Sequence, residues 1–201
     1  LIPGPKLRPG FDVIRNEFND ALASFQAMAA DAAIEATMLE ALALCEQALR
    51  NGGKILFAGN GGSAADAQHW AGELVSRFYY DRPGLPAIAL TTDTSILTAI
   101  GNDYGYEHTF ARQVQALGRA GDVLVALSTS GNSPNILRAV EAARAAGVKV
   151  VGFTGRKGGA LASACDACFR VPADLTPRIQ EGHEFLGHLL CSLIEARMFP
   201  R

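Results

Sequence analysis

Between residues 54 and 171 the chain alternates short apolar runs with longer stretches of helical periodicity. The runs fall at residues 54–58, 86–90, 122–127 and 148–153, with a weaker one at 167–171. They are apolar at nearly every position, which predicts strands buried on both faces. Helices are predicted between them at residues 63–78, 106–117, 134–146 and 158–164. Earlier in the chain, Phe18, Leu22, Phe25, Met28 and Ala29 recur at helical spacing. Residues 11–50 therefore read as a pair of amphipathic helices, the second ended by Gly52 and Gly53. A last helix is predicted over residues 177–199, where Leu186, Leu189, Leu190, Leu193 and Ile194 share the sequence with Gln180, Glu181, His183, Glu184 and His188.

Alternating strands and helices imply an α/β fold: a three-layer αβα sandwich around a doubly wound, parallel, five-stranded sheet, with an N-terminal helical extension. Such sheets bind ligands beyond the C-terminal ends of their strands, where the strand order reverses. Residues 11–201 are expected to form one domain that includes the helices at 11–50. The Pro/Gly-rich residues 1–10 read as a tag remnant or a disordered arm.

Composition narrows the function classes. Hydrophobic residues at 49% and charged residues at 19% exclude disordered and fibrous chains. Against 20 Asp and Glu stand 18 Lys and Arg, a net charge of −2 that offers no field for a polyanion and argues against a nucleic acid partner. No apolar run is long enough to span a bilayer, so no membrane association is expected. Cys45, Cys165, Cys168 and Cys191 are too scattered for a disulfide framework, and reduced thiols in a cytoplasm are expected. Cys165 and Cys168 form a C-x-x-C with no second pair to complete a zinc ribbon. Nor does the pair open a helix after a first strand, as a redox motif would, so structural thiols are expected.

Two loops are suited to an anion. The first strand leads into Gly59, Asn60, Gly61, Gly62 and Ser63 and then a helix, for which Ser63 is the expected cap. Gly59, Gly61 and Ala64 also satisfy the dinucleotide pattern G-x-G-x-x-G/A. The ribose-binding carboxylate should follow about 20 residues later, at the end of the next strand. Here the interval is longer and that strand ends Ala89-Leu90-Thr91-Thr92-Asp93, against a nicotinamide enzyme. The second loop, Ser128, Thr129, Ser130, Gly131, Asn132 and Ser133, closes a buried strand and precedes Pro134, with Ser133 the expected N-cap. Its hydroxyls suit phosphate oxygens, and no P-loop lysine is present to indicate triphosphate hydrolysis.

His69 and Glu73 stand four residues apart on the helix after the first loop, a spacing that lets two side chains converge on one ion. Gln180 and His188 lie about 80° apart around the last helix and face the same side at different heights. Two imidazoles, a carboxylate and an amide oxygen form an acceptable donor set for zinc or another divalent ion. Separate capping and surface roles for the four would be the plain alternative.

With G-N-G-G-S-A-A-D-A-Q-H-W-A-G-E-L at 59–74, A-I-G-N-D-Y-G at 99–105, S-T-S-G-N-S at 128–133 and R-I-Q-E-G-H-E-F-L-G-H at 178–188, the chain resembles the phosphoheptose isomerases of the sugar-isomerase (SIS) fold. That resemblance implies interconversion of sedoheptulose 7-phosphate and D-glycero-D-manno-heptose 7-phosphate, an aldose–ketose step toward heptose-containing surface glycans. It implies that Ser128, Thr129, Ser130 and Ser133 hold the phosphate, and that Asn60, Gly61, Gly62 and Ser63, with Asn102, Asp103 and Gln180, face the sugar. It further implies one Zn2+ per subunit on His69, Glu73, Gln180 and His188, an acid–base pair of Glu73 and His188, and a homotetramer whose active sites draw on more than one subunit. A non-catalytic sister group resembles regulators that bind the replication initiator DnaA. Those proteins share the loop segments but lack the carboxylate and the final histidine, so Glu73 and His188 favour the isomerase.

Overall fold

The computed structural model describes residues 11–201, and the reading of residues 1–10 lies outside them. Five parallel strands, β1 (Ile55–Ala58), β2 (Ala87–Ala89), β3 (Val123–Leu127), β4 (Lys149–Gly155) and β5 (Ala167–Val171), form one sheet in the order β2-β1-β3-β4-β5. Every predicted strand is present. After β1 the chain moves outward to β2 and then returns to the other side of β1 as β3, so the order reverses between β1 and β3. Both anion-type loops leave the sheet at this reversal.

Side chains alternate across a strand, and here both faces are covered. Ile55 and Phe57 point into a core with Trp70, Leu74, Phe153, Phe169 and Leu186. On that face lie α1 (Phe11–Ala29), α2 (Ala32–Arg50), α3 (Gly62–Val75) and α8 (Thr176–Met198). Leu56 and Ala58 point the other way, against Leu90, Val114, Ile136, Val140 and Leu161. That layer holds α4 (Thr94–Tyr104), α5 (Ala111–Leu117), α6 (Pro134–Ala145) and α7 (Gly159–Ala164). The result is the three-layer sandwich expected from the strand pattern.

Three local readings are corrected. Helix α4 has no counterpart among the predicted elements; it starts where the Asp93 side chain accepts from Ile96 N at 2.9 Å. The helix expected over 106–117 is broken into a 3₁₀ turn at Tyr106–His108 and α5. Ser63 does not cap α3: the cap is Gly61, at φ +58, and Ser63 is buried inside the first turn. Only glycine holds that backbone without strain, which also leaves the loop free of side chain there.

In α1 the helical period holds, but its apolar stripe is only partly covered. Met28 is buried, whereas Phe18 is 67% and Leu22 58% exposed. An apolar groove continues from it between α1, α2 and α8, lined by Phe25, Met38, Leu39, Phe185, Leu189 and Leu193. No helix among the described residues is long and apolar enough to cross a membrane.

Candidate active site

The loop after β1 is held by a polar network. Asn60 Nδ2 donates to Asn135 Oδ1 at 2.9 Å, and Asn60 Oδ1 accepts from Asn135 Nδ2 at 2.8 Å and from the Tyr106 hydroxyl at 2.9 Å. Asn135 is buried at the start of α6, so the reciprocal amide pair links the first loop to the helix that follows the second. Gly61 and Gly62 are exposed, and a Cβ on Gly62 would come within 2.5 Å of the Gln180 amide. Bare backbone here lets Gln180 approach the head of α3.

In the loop after β3, Ser128 is the hub. Its Oγ lies 2.9 Å from Ser133 Oγ and 3.4 Å from Ser130 Oγ. Ser133 takes the N-cap position of α6 with Pro134 behind it, but its hydroxyl turns to Ser128 and makes no cap bond. Gly131, at φ +67, packs so closely on Gly158 that a Cβ would overlap the Gly158 carbonyl oxygen. Three serine hydroxyls thus converge at the positive end of a helix, a setting for phosphate oxygens without any lysine. Thr129 is half-buried beside them.

A second cluster lies where α3 packs on α8. His69 Nε2 is 3.1 Å from Glu73 Oε1 and 3.3 Å from His188 Nε2. Ligand atoms at the corners of a tetrahedron around a zinc-sized ion stand about 3.3 Å apart, so His69 is spaced for such an ion with Glu73 on one side and with His188 on the other. Glu184 joins them, its Oε1 2.8 Å from His69 Nδ1 and 3.0 Å from His188 Nε2. His69, Glu184 and His188 could hold a metal ion. The approach of the helices depends on Gly187, where any Cβ would collide with the Trp70 indole. Trp70 in turn donates from Nε1 to Glu184 Oε2 at 3.2 Å. Asp66, one turn earlier on α3, is pushed up to about 7 by burial first and by the neighbouring Glu184 carboxylate second. Its Oδ2 is buried without a hydrogen-bond partner.

The structure therefore brings His69, Glu73 and His188 together. Gln180 sits two turns up α8, about 12 Å along the axis, against Gly62. Asn102 and Asp103 lie exposed near the end of α4, the Asn102 amide donating to Asp103 at 2.8 Å. His183 turns inward, fully buried, with Nε2 3.1 Å from the Thr154 carbonyl oxygen. In the sequence Glu184 stands only as one member of the polar stretch between Gln180 and His188. Its four-residue spacing from His188 was the available signal, but which helix the pair would face is a tertiary fact.

Cys165 and Cys168 are free, and their sulfurs fill the space over Gly152 of β4, where a Cβ would come within 2.5 and 2.9 Å of them.

Residues 17–155 match the family model described as SIS domain. The chain is 59% identical over 188 residues to the phosphoheptose isomerase of Burkholderia pseudomallei strain K96243, covering 94% of this chain and 95% of that one. Among solved structures, phosphoheptose isomerase GmhA from Neisseria gonorrhoeae superposes with a TM-score of 0.86 at 46% identity, covering 92% of this chain and 98% of that one. The phosphoheptose isomerase from Francisella tularensis gives 0.89 at 40% identity, covering 93% and 98%. On these likenesses, which run through the loop of serines and the paired helices alike, the chain belongs to the phosphoheptose isomerase family of SIS-domain proteins.

Proposed function

We propose that this protein converts sedoheptulose 7-phosphate to D-glycero-D-manno-heptose 7-phosphate, supplying heptose for surface glycans. The observation that carries the reading is the meeting of a carboxylate, Glu73, with two imidazoles, His69 and His188, across two packed helices. A ketose–aldose conversion moves a proton between C1 and C2 through an enediol and needs a base, an acid and stabilisation of the oxygen that gains charge. Glu73 takes the proton, with Oε1 turned to His69 and the second oxygen left for the transfer. His188 returns or relays it. Ser128, Thr129, Ser130 and Ser133 hold the phosphate, and Asn60, Gly61, Gly62 and Ser63 line the sugar together with Asn102, Asp103 and Gln180.

One Zn2+ per subunit would lie between His69 and His188, with Glu73 beside His69 as a donor, and Gln180 would join the set only by turning its side chain from Gly62 along α8 toward His188. When bound, the ion supplies Lewis acidity that polarises the carbonyl. The exposed stripe of α1 and the adjoining groove support a homotetramer, since an apolar face of that extent usually marks an interface. Asn102 and Asp103, exposed and bonded to each other, suit an active site completed across subunits. Four free cysteines, two of them side by side, fit a cytoplasmic location.

The test is turnover of sedoheptulose 7-phosphate by the purified protein. Glu73→Gln and His188→Ala should each lose about 10²- to 10⁴-fold in kcat while remaining folded. Activity within a few-fold of wild type in both variants would end the assignment. Binding to a replication initiator without turnover of any heptose phosphate would favour the regulator reading.

A further inference from the structure

A neutral histidine ring takes a metal ion through one nitrogen, and the other then carries a hydrogen that needs an acceptor. At His69 the two nitrogens face different groups. Nε2 looks toward Glu73 Oε1 and His188 Nε2, at 3.1 and 3.3 Å. Nδ1 looks toward Glu184 Oε1 at 2.8 Å. The carboxylate is itself held, because Trp70 donates to its other oxygen from inside the core, where the indole is 1% exposed. Gly187 secures that arrangement by letting the indole lie directly against α8.

Building on the metal site proposed above, we infer that Glu184 is its positioning carboxylate. It accepts the Nδ1 hydrogen of His69, which fixes the ring's tautomer and plane and turns the Nε2 lone pair to the ion. The chain Trp70–Glu184–His69 runs from a rigid core residue to a donor atom, so the donor is set before any ion arrives. Glu184 Oε1 also lies 3.0 Å from His188 Nε2, which places its negative charge at the rim of the donor set and favours a cation there. A carboxylate oriented only as a solvated surface group would have neither the buried indole donor nor the imidazole.

Zinc titration of the metal-free protein against a chromophoric chelator tests this without substrate. Glu184→Leu should weaken zinc binding by about 10- to 100-fold while keeping one ion per chain. Glu184→Gln, which retains an oxygen for the imidazole hydrogen, should lose less. In the zinc form of the wild type, imidazole 1H–15N spectra should show a slowly exchanging Nδ1 hydrogen on His69, faster-exchanging and shifted in Glu184→Gln, where a neutral oxygen accepts it, and absent in Glu184→Leu. Should Glu184→Leu fold poorly, Glu184→Gln and this resonance decide the matter. Wild-type affinity in the variants would overturn the inference while leaving the zinc site standing. A hydrogen on His69 Nε2 in the zinc form would also overturn it, since Nδ1 would then hold the ion beside Glu184. A wild type that takes up no zinc would remove the metal reading and this one together, whatever its isomerase activity.

Discussion

Arg82 and Glu195 form a buried ion pair, Nε to Oε2 at 3.0 Å, with side chains 2% and 0% exposed. Arg82 also donates to the carbonyl oxygens of Glu73 and Leu74, at 2.9 and 2.6 Å, and so closes the C-terminal end of α3. Glu195 accepts from the backbone amides of Phe78 and Tyr79, each at 2.7 Å. Burial alone would raise the Glu195 carboxyl, but the two amides and Arg82 outweigh it and hold it below its ordinary value. The pair thus anchors the last turn of α3, where Glu73 sits, and lays the Phe78 ring 5.7 Å from that of His188.

Removing one partner leaves the other charge buried and alone, at a cost of about 3–5 kcal/mol. Glu195→Leu and Arg82→Met should each lower the melting temperature by about 10 °C. The double variant should lose less than the sum, because neither charge is then stranded. Thermal melts of the three variants check this, and single variants melting with the wild type would contradict it.

His183 supplies a pH dependence. Burial lowers it from 6.5 to about 4, with the bond to the Thr154 carbonyl opposing that shift. Between these values the unfolded chain binds a proton that the folded chain refuses. Stability is therefore full above about pH 6.5 and falls as the pH drops toward 4, by roughly 3 kcal/mol from this residue. His183→Gln should flatten that part of the curve in denaturant titrations run across the range. An unchanged slope would show that His183 is not the group responsible.

The serine loop should act on binding more than on chemistry. Ser128 positions both Ser130 and Ser133, and hydrogen bonds to a charged oxygen contribute about 1.5–3 kcal/mol. Ser128→Ala is expected to raise KM by about 10-fold or more while sparing kcat, and to weaken competitive inhibition by inorganic phosphate in parallel. A loss confined to kcat would move Ser128 from phosphate binding to the reacting end.

What could be read in the sequence follows from where the physical signal is local. β1 and β3 are buried at every position, so their apolar runs announced them without any tertiary knowledge. Helix α4 escaped because Ile100 is its one buried residue, leaving little amphipathic pattern, although Asp93 carried a capping signal. His69 and Glu73 share a helix and could be paired by spacing. Glu184 with His69, and Arg82 with Glu195, are separated by more than a hundred residues, and only the packing of α3 on α8 brings them together. The stripe of Phe18 and Leu22 was correctly periodic, yet periodicity cannot say whether its cover comes from the same chain.

The placement of the metal separates two sets of donors that are both visible in the sequence. Cys165 and Cys168 offer two thiols, already packed over Gly152, whereas His69 and His188 bring two imidazole nitrogens to 3.3 Å of each other, with Glu73 3.1 Å from His69. Zinc content should survive the double change Cys165→Ser with Cys168→Ser. It should fall sharply in His69→Ala, because the remaining imidazole and oxygen donors form a weaker site. Elemental analysis of the two proteins after dialysis decides between the sets. Zinc kept without His69 and lost with the cysteines would move the ion to the sheet's far edge, where neither Glu73 nor His188 could use it.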